Sequence, residues 1–120
     1  MYDLNVYDVM IPRTSREDKW VDDFQKVREW FLATAELTRG GTILATDILG
    51  VWYPNEPPDQ EQVWDRSAWL KFGVSVDQVL PLRKHVEDAA AEFSQDRIYL
   101  ERTGEADLIW QACKKPKTIE

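Results

Sequence analysis

The chain has 120 residues, 43% of them apolar, and a formal charge of −7. That is enough for one folded core and too little for two domains, and the acidic field disfavours binding to phosphate backbones. One cysteine excludes an internal disulfide, one histidine with one cysteine excludes the common zinc sites, and no apolar run approaches the ~20 residues that span a bilayer.

Residues 2–11, YDLNVYDVMI, are β-branched and aromatic and run into Pro12, which predicts a strand. Thr14-Ser15-Arg16-Glu17 has the spacing of a capping box, in which a hydroxyl and a carboxylate satisfy the free N–H groups of a first helical turn. Trp20, Phe24, Val27, Phe31 and Ala35 then fall on one stripe of an amphipathic helix over 16–38. Arg39-Gly40-Gly41 stops that helix, since glycine accepts the left-handed geometry of a helix end.

A second strand is expected over 42–52, with Gly50 as a candidate bulge. Residues 53–61, YPNEPPDQE, hold three prolines and three acids and read as a loop. From 62 to 76 the pattern alternates. Arg66, Ala68, Leu70, Phe72, Val74 and Val76 share the face expected to meet the helices, while Asp65, Ser67, Trp69, Lys71 and Ser75 share the other. Ser75-Val76-Asp77-Gln78 is a second capping signal, and Pro81 is tolerated in a first turn. Val79, Leu82, Val86, Ala90 and Phe93 mark a second helix over 78–94. Residues 97–102 read as a strand that Thr103-Gly104-Glu105 can turn into a further strand at 106–110.

The order is β-α-β-β-α-β: an α+β, ferredoxin-like split arrangement with two helices on one face of an antiparallel sheet. Residues 1–113 form the domain, and 114–120 a flexible lysine-rich tail. The face bearing Trp69 is left open, and a second copy of the chain is the expected cover, giving a homodimer. The amino-terminal residues show neither a basic segment nor an apolar one, so a cytoplasmic protein is expected.

Chemistry-bearing residues are few. His85, the only histidine, sits on the flank of the second helix beside Glu87 and Asp88. Imidazole titrates near neutrality and suits a general base, but a helix-flank histidine without a partner is the simpler reading. Ser67 with His85 and a carboxylate would imitate a hydrolytic triad, yet no G-x-S-x-G turn presents the serine. Glu56, Asp59, Glu61 and Asp65 form an acidic run suited to a basic protein surface; the glycine-containing loop of a calcium site is absent. Trp69 to Val76 occupies the strand on which RNA-binding sheets place stacking aromatics, but the basic start of that motif is missing. No phosphate-binding glycine loop occurs, and no cofactor or metal is called for.

Gly41-Thr42, Gly50-Val51-Trp52, Asp65-Arg66-Ser67 and the run from Phe93 through Gln95 to Tyr99-Leu100 follow one another over residues 41–101. This resembles the order G-x-T, G-x-W, E-x-S, F-x-Q-x-x-(V/I) of small bacterial proteins of the DUF3574 type. The resemblance implies a ferredoxin-like fold and a ligand or partner surface near Trp52, Asp65, Ser67, Gln95 and Tyr99; it implies no reaction.

Two functions are therefore expected from the residues. The first is a non-enzymatic domain that binds a protein or small ligand, in one form an acidic inhibitor or immunity-type protein, through the acidic loop and the open aromatic face. The second is a small cofactor-free enzyme with Trp52, Trp69, Tyr99 and His85 around an aromatic pocket, an expectation resting on fold analogy.

Overall fold

A computed structural model describes residues 3–13, 24–53, 56–58, 61–95 and 97–113. The elements are β1 (Leu4–Pro12), α1 (Phe24–Leu37), β2 (Gly41–Trp52), β3 (Val63–Val74), a 3-10 turn (Val76–Gln78), α2 (Val79–Glu92) and β4 (Tyr99–Ala106). The strands form one four-stranded sheet in the order β2-β3-β1-β4, and each neighbouring pair is antiparallel. It follows that β1 and β2 run in the same direction with β3 between them. Likewise β3 and β4 run together with β1 between them. Each helix thus carries the chain over an intervening strand.

The register of the central pair decides which side chains meet the helices. Tyr7 opposes Phe72, Val9 opposes Leu70 and Ile11 opposes Ala68, so these six share one face, and all are buried. Val27, Trp30 and Thr34 of α1 and Leu82, Val86 and Ala89 of α2 close over that face. Trp30 meets Phe72 edge-on at 6.1 Å between centroids, and Phe31 meets the same ring at 5.6 Å. Full burial of a ring such as Phe72, or of Leu70 or Leu82, contributes about 1.5–3 kcal/mol each.

Both helices are rotated slightly from their apolar stripes. Trp30 and Thr34 lie innermost on α1, while Phe31 and Ala35 pack only partly against the core. Thr34 can enter because its hydroxyl donates to the Trp30 carbonyl at 2.7 Å, leaving no polar atom unsatisfied. On α2 the buried position is Ala89 rather than its neighbour Ala90.

The ends of the helices follow the local chemistry. Gly40 takes φ +114°, where a side chain would be strained. The turn it makes is tied to the end of β3: Arg39 N–H donates to the Gly73 carbonyl at 2.9 Å, and Gly73 N–H donates to the Gly40 carbonyl at 3.0 Å. Before α2, the Ser75 N–H donates to Gln78 Oε1 at 3.0 Å, the backward half of the expected capping box. The capped turn is 3-10, so α2 starts at Val79, and it ends at Glu92 rather than 94. The Thr14-Ser15-Arg16-Glu17 box and the helix start expected at 16 lie outside the described residues, as does the tail at 114–120.

Three expectations are corrected. Val76, expected on the helix-facing side of the strand, lies in the 3-10 turn beyond β3 and is 82% exposed. The irregularities of β2 fall between Ile43 and Ala45 and between Ala45 and Ile48, not at Gly50, which pairs regularly with Asp65. Arg13 supports the irregular segment, its Nη1 donating to the Thr46 carbonyl at 2.9 Å. And 103–105 do not turn the chain. β4 runs straight through them as one strand, the surplus residue Thr103 being taken up by a register shift opposite Val6 and Tyr7. Residues 107–110 form no strand; Asp3 ties them down instead. Its N–H donates to Asp107 Oδ1 at 2.9 Å, and its Oδ2 accepts from the Leu108 N–H at 3.1 Å. Among the described residues no helix is long and apolar enough to cross a membrane.

Candidate functional site

The face of the sheet opposite the helices carries a connected group of aromatic and charged side chains. Strand alternation sets it up. Asp8 and Met10 of β1 stand beside Lys71 and Trp69 of β3 on one side, and beside Glu101 and Tyr99 of β4 on the other. Asp8 is only 5% exposed although, among the described residues, both helices lie on the opposite face. A carboxylate removed from water to that degree costs several kcal/mol unless its charge is met. Trp69 Nε1 donates to Asp8 Oδ2 at 2.8 Å, and Lys71 Nζ lies 3.1 Å from Asp8 Oδ1. The lysine contact has ion-pair distance without the alignment of a hydrogen bond, so Oδ1 is neutralised but not fully satisfied.

A second cluster stands where β2 and β3 run on past the end of β1. Trp52 Nε1 donates to Asp65 Oδ1 at 3.0 Å, and the Ser67 hydroxyl lies 3.4 Å from the same oxygen. The indole lies back over Gly50: a Cβ built there would fall 3.2 Å from Trp52 Nε1. Gly50 therefore makes room for a ring rather than a kink. The Trp52 ring reaches Tyr99 at 5.5 Å between centroids, although β2 and β4 are the two outer strands of the sheet. The contact thus spans the face from one edge to the other.

Tyr99 joins the two clusters. Its hydroxyl donates to Glu101 Oε2 at 2.8 Å. This bond, then burial, then the negative charges of Glu101 and Asp8 hold the phenol above its ordinary titration range. Trp52 and Tyr99 are each about 40% exposed, so their faces remain available to an outside group.

Of the residues singled out from the sequence, Trp52, Asp65, Ser67, Trp69 and Tyr99 come together on this face. Gln95 does not: it lies in the turn after α2, where its N–H donates to the Ala90 carbonyl at 2.7 Å and its side chain to the Phe93 carbonyl at 3.3 Å. Glu56 and Glu61 are exposed on the loop between β2 and β3, and Asp59 lies outside the described residues. His85 stands on the far side of the sheet. Its ring stacks on Trp30 at 5.0 Å and 11°, within the helix layer that covers Phe72. His85 Nε2 and Trp30 Nε1 are both buried without a hydrogen-bond partner. The sheet separates His85 from Trp52, Trp69 and Tyr99, and from Ser67, so these groups share no site.

Asp8, Lys71 and Glu101 belong to the site and were not singled out. The signal for Asp8 was present: a charge between Val6 and Met10 in an otherwise apolar alternation. Its partners come from strands 60 and 90 residues further along the chain and leave no local mark. Among the described residues no group of three or more His, Cys, Asp or Glu side chains is placed to hold a metal ion. Compared with protein-family models, with curated proteins and with solved structures, the chain matches none.

Proposed function

We propose that the chain is a non-enzymatic binding domain of ferredoxin-like architecture whose open sheet face is the binding surface. The strand order, with each helix crossing over an intervening strand, supports the split β-α-β reading of the fold. One observation carries the functional reading: Trp52 and Tyr99 meet across the sheet, half-exposed, on the face that holds the buried Asp8 carboxylate and its Trp69 N–H donor. The resemblance to DUF3574-type proteins adds support, because Trp52, Asp65, Ser67 and Tyr99, which carry it, are gathered on this one face.

The surface chemistry favours a group that is flat or apolar in body and positively charged or N–H-bearing at one end. Ring faces attract cations, and Asp65, Glu101 and Asp8 outnumber Lys71 around them. The reading is tested by two-dimensional NMR of the labelled chain, titrated with tryptamine and arginine methyl ester and with neutral isosteres of each. The indole N–H signals of Trp52 and Trp69 report directly, since each bonds to a site carboxylate. Saturable shifts of both signals by the cations, roughly tenfold weaker for the neutral compounds and lost in Trp52→Ala, are expected. Absence of any shift, or shifts gathered around Trp30 and His85 instead, would overturn the assignment.

A further inference from the structure

The two edges of the sheet differ. β4 carries Glu101, Arg102 and Glu105 and is interrupted at Thr103, features that discourage another strand from adding to it. β2 has twelve residues with one charge, Asp47, and neither lysine nor proline. Its irregularities end at Ile48. From there residues 48–52 pair without interruption with 63–67, forming a two-stranded arm beyond Pro12 and Ser67, where pairing with β1 stops. On one side of the arm Leu49, Val51 and Trp64 stand 63%, 37% and 53% exposed. An apolar, uncharged, straight edge of this kind is an open template for strand addition.

We propose that residues 48–52 pair antiparallel with the same stretch of a second copy of the chain, about a two-fold axis at Gly50, joining the two sheets. Self-pairing suits the arm better than a foreign partner for two reasons. An isologous antiparallel contact satisfies the outward N–H and C=O groups of both copies at once. It also sets Leu49 against Val51 of the second copy on one face and Ile48 against Trp52 on the other, with the two Gly50 residues opposed at the centre. Charge argues the same way. At −7 each, two copies repel, so they can join only where charge is absent or already met. None of the five residues is charged, and the adjacent Asp47 is held by Arg66 of its own chain at 3.1 Å. A basic partner, in contrast, would seek an acidic surface. The second copy would place its Ile48 beside Trp52, walling the open-face site at that end.

Sedimentation equilibrium decides the matter, independently of any ligand titration. The wild-type chain, up to about 200 μM, should show a species of twice the 14.1 kDa chain mass. Added salt should tighten the dimer by screening the like charges. Val51→Lys should raise the dissociation constant roughly tenfold or more while leaving the far-ultraviolet circular dichroism unchanged. Should that variant fail to fold, hydrogen exchange of the wild type answers instead: amide protection at 48–52 is expected to fall on dilution. A monomer throughout the range, a dimer indifferent to Val51→Lys, or protection independent of concentration would overturn the proposal.

Discussion

Substituting Lys71 by methionine keeps most of the side chain's length and apolar stem and removes its charge. Asp8, 5% exposed, would retain the Trp69 N–H and lose the ammonium 3.1 Å from Oδ1. Removing one member of a fully buried ion pair costs about 3–5 kcal/mol. The Lys71 side chain is 38% exposed, so solvent already screens the pair, and about 2 kcal/mol is the appropriate expectation. In urea, with a slope of about 1.5 kcal/mol per molar, the midpoint should fall by about 1.3 M. The companion variant Asp8→Asn with Lys71→Met should recover much of this loss, because a neutral amide can still accept from Trp69 and leaves no charge unmet. A midpoint shift below about 0.3 M for Lys71→Met, or a double variant whose loss equals the sum of the single ones, would refute the reasoning.

Three further outcomes are expected. Gly50→Val would push the indole off Asp65, breaking the Trp52 hydrogen bond; a loss of about 1 kcal/mol and a red-shifted tryptophan emission should be seen by urea unfolding followed by fluorescence. His85→Phe keeps a ring against Trp30 and removes a buried nitrogen without a partner, so thermal unfolding should show unchanged or raised stability, by up to about 1 kcal/mol; a large loss would mean that Nε2 has a role beyond packing. Tyr99 is raised mainly by its bond to Glu101, and Lys84 mainly by its bond to Asp88, so both folded-state groups hold their protons more firmly than in the unfolded chain. Their contributions are fully present below the unfolded values near 10 and are lost as pH climbs through the folded ones. Urea midpoints measured from pH about 9 to about 11 should therefore decline, less so in Tyr99→Phe.

The helix-facing side of the molecule was readable because burial imposes period. Ala68, Leu70, Phe72 and Val74 alternate on β3, and Val27, Leu82 and Val86 recur at helical spacing; all lie in the core. Thr34 escaped notice because it enters the core by bonding to a carbonyl one turn back, which composition does not reveal. The proposed hairpin at 103–105 failed for a related reason. Thr-Gly-Glu has turn chemistry, but pairing with β1 from Leu4 to Met10 absorbs a single surplus residue more cheaply than it would surrender a ladder.

For the open face, the aromatic and acidic members were visible one by one, and Trp69 with Asp65 and Ser67 was visible as a set through strand alternation. Their grouping with Trp52, Tyr99 and Asp8 was not, since it depends on the register of β1 against two strands and on Gly50 leaving space for an indole. The same register put His85 on the opposite side of the sheet from the rings expected beside it. Sequence alone thus determined the two helices, the four strands and the apolar face of β3 from Ala68 to Val74, because local propensity and burial period are properties of neighbouring residues. Which distant side chains meet was decided only by the sheet order and strand register, because those contacts join residues tens of positions apart that have no periodicity in common.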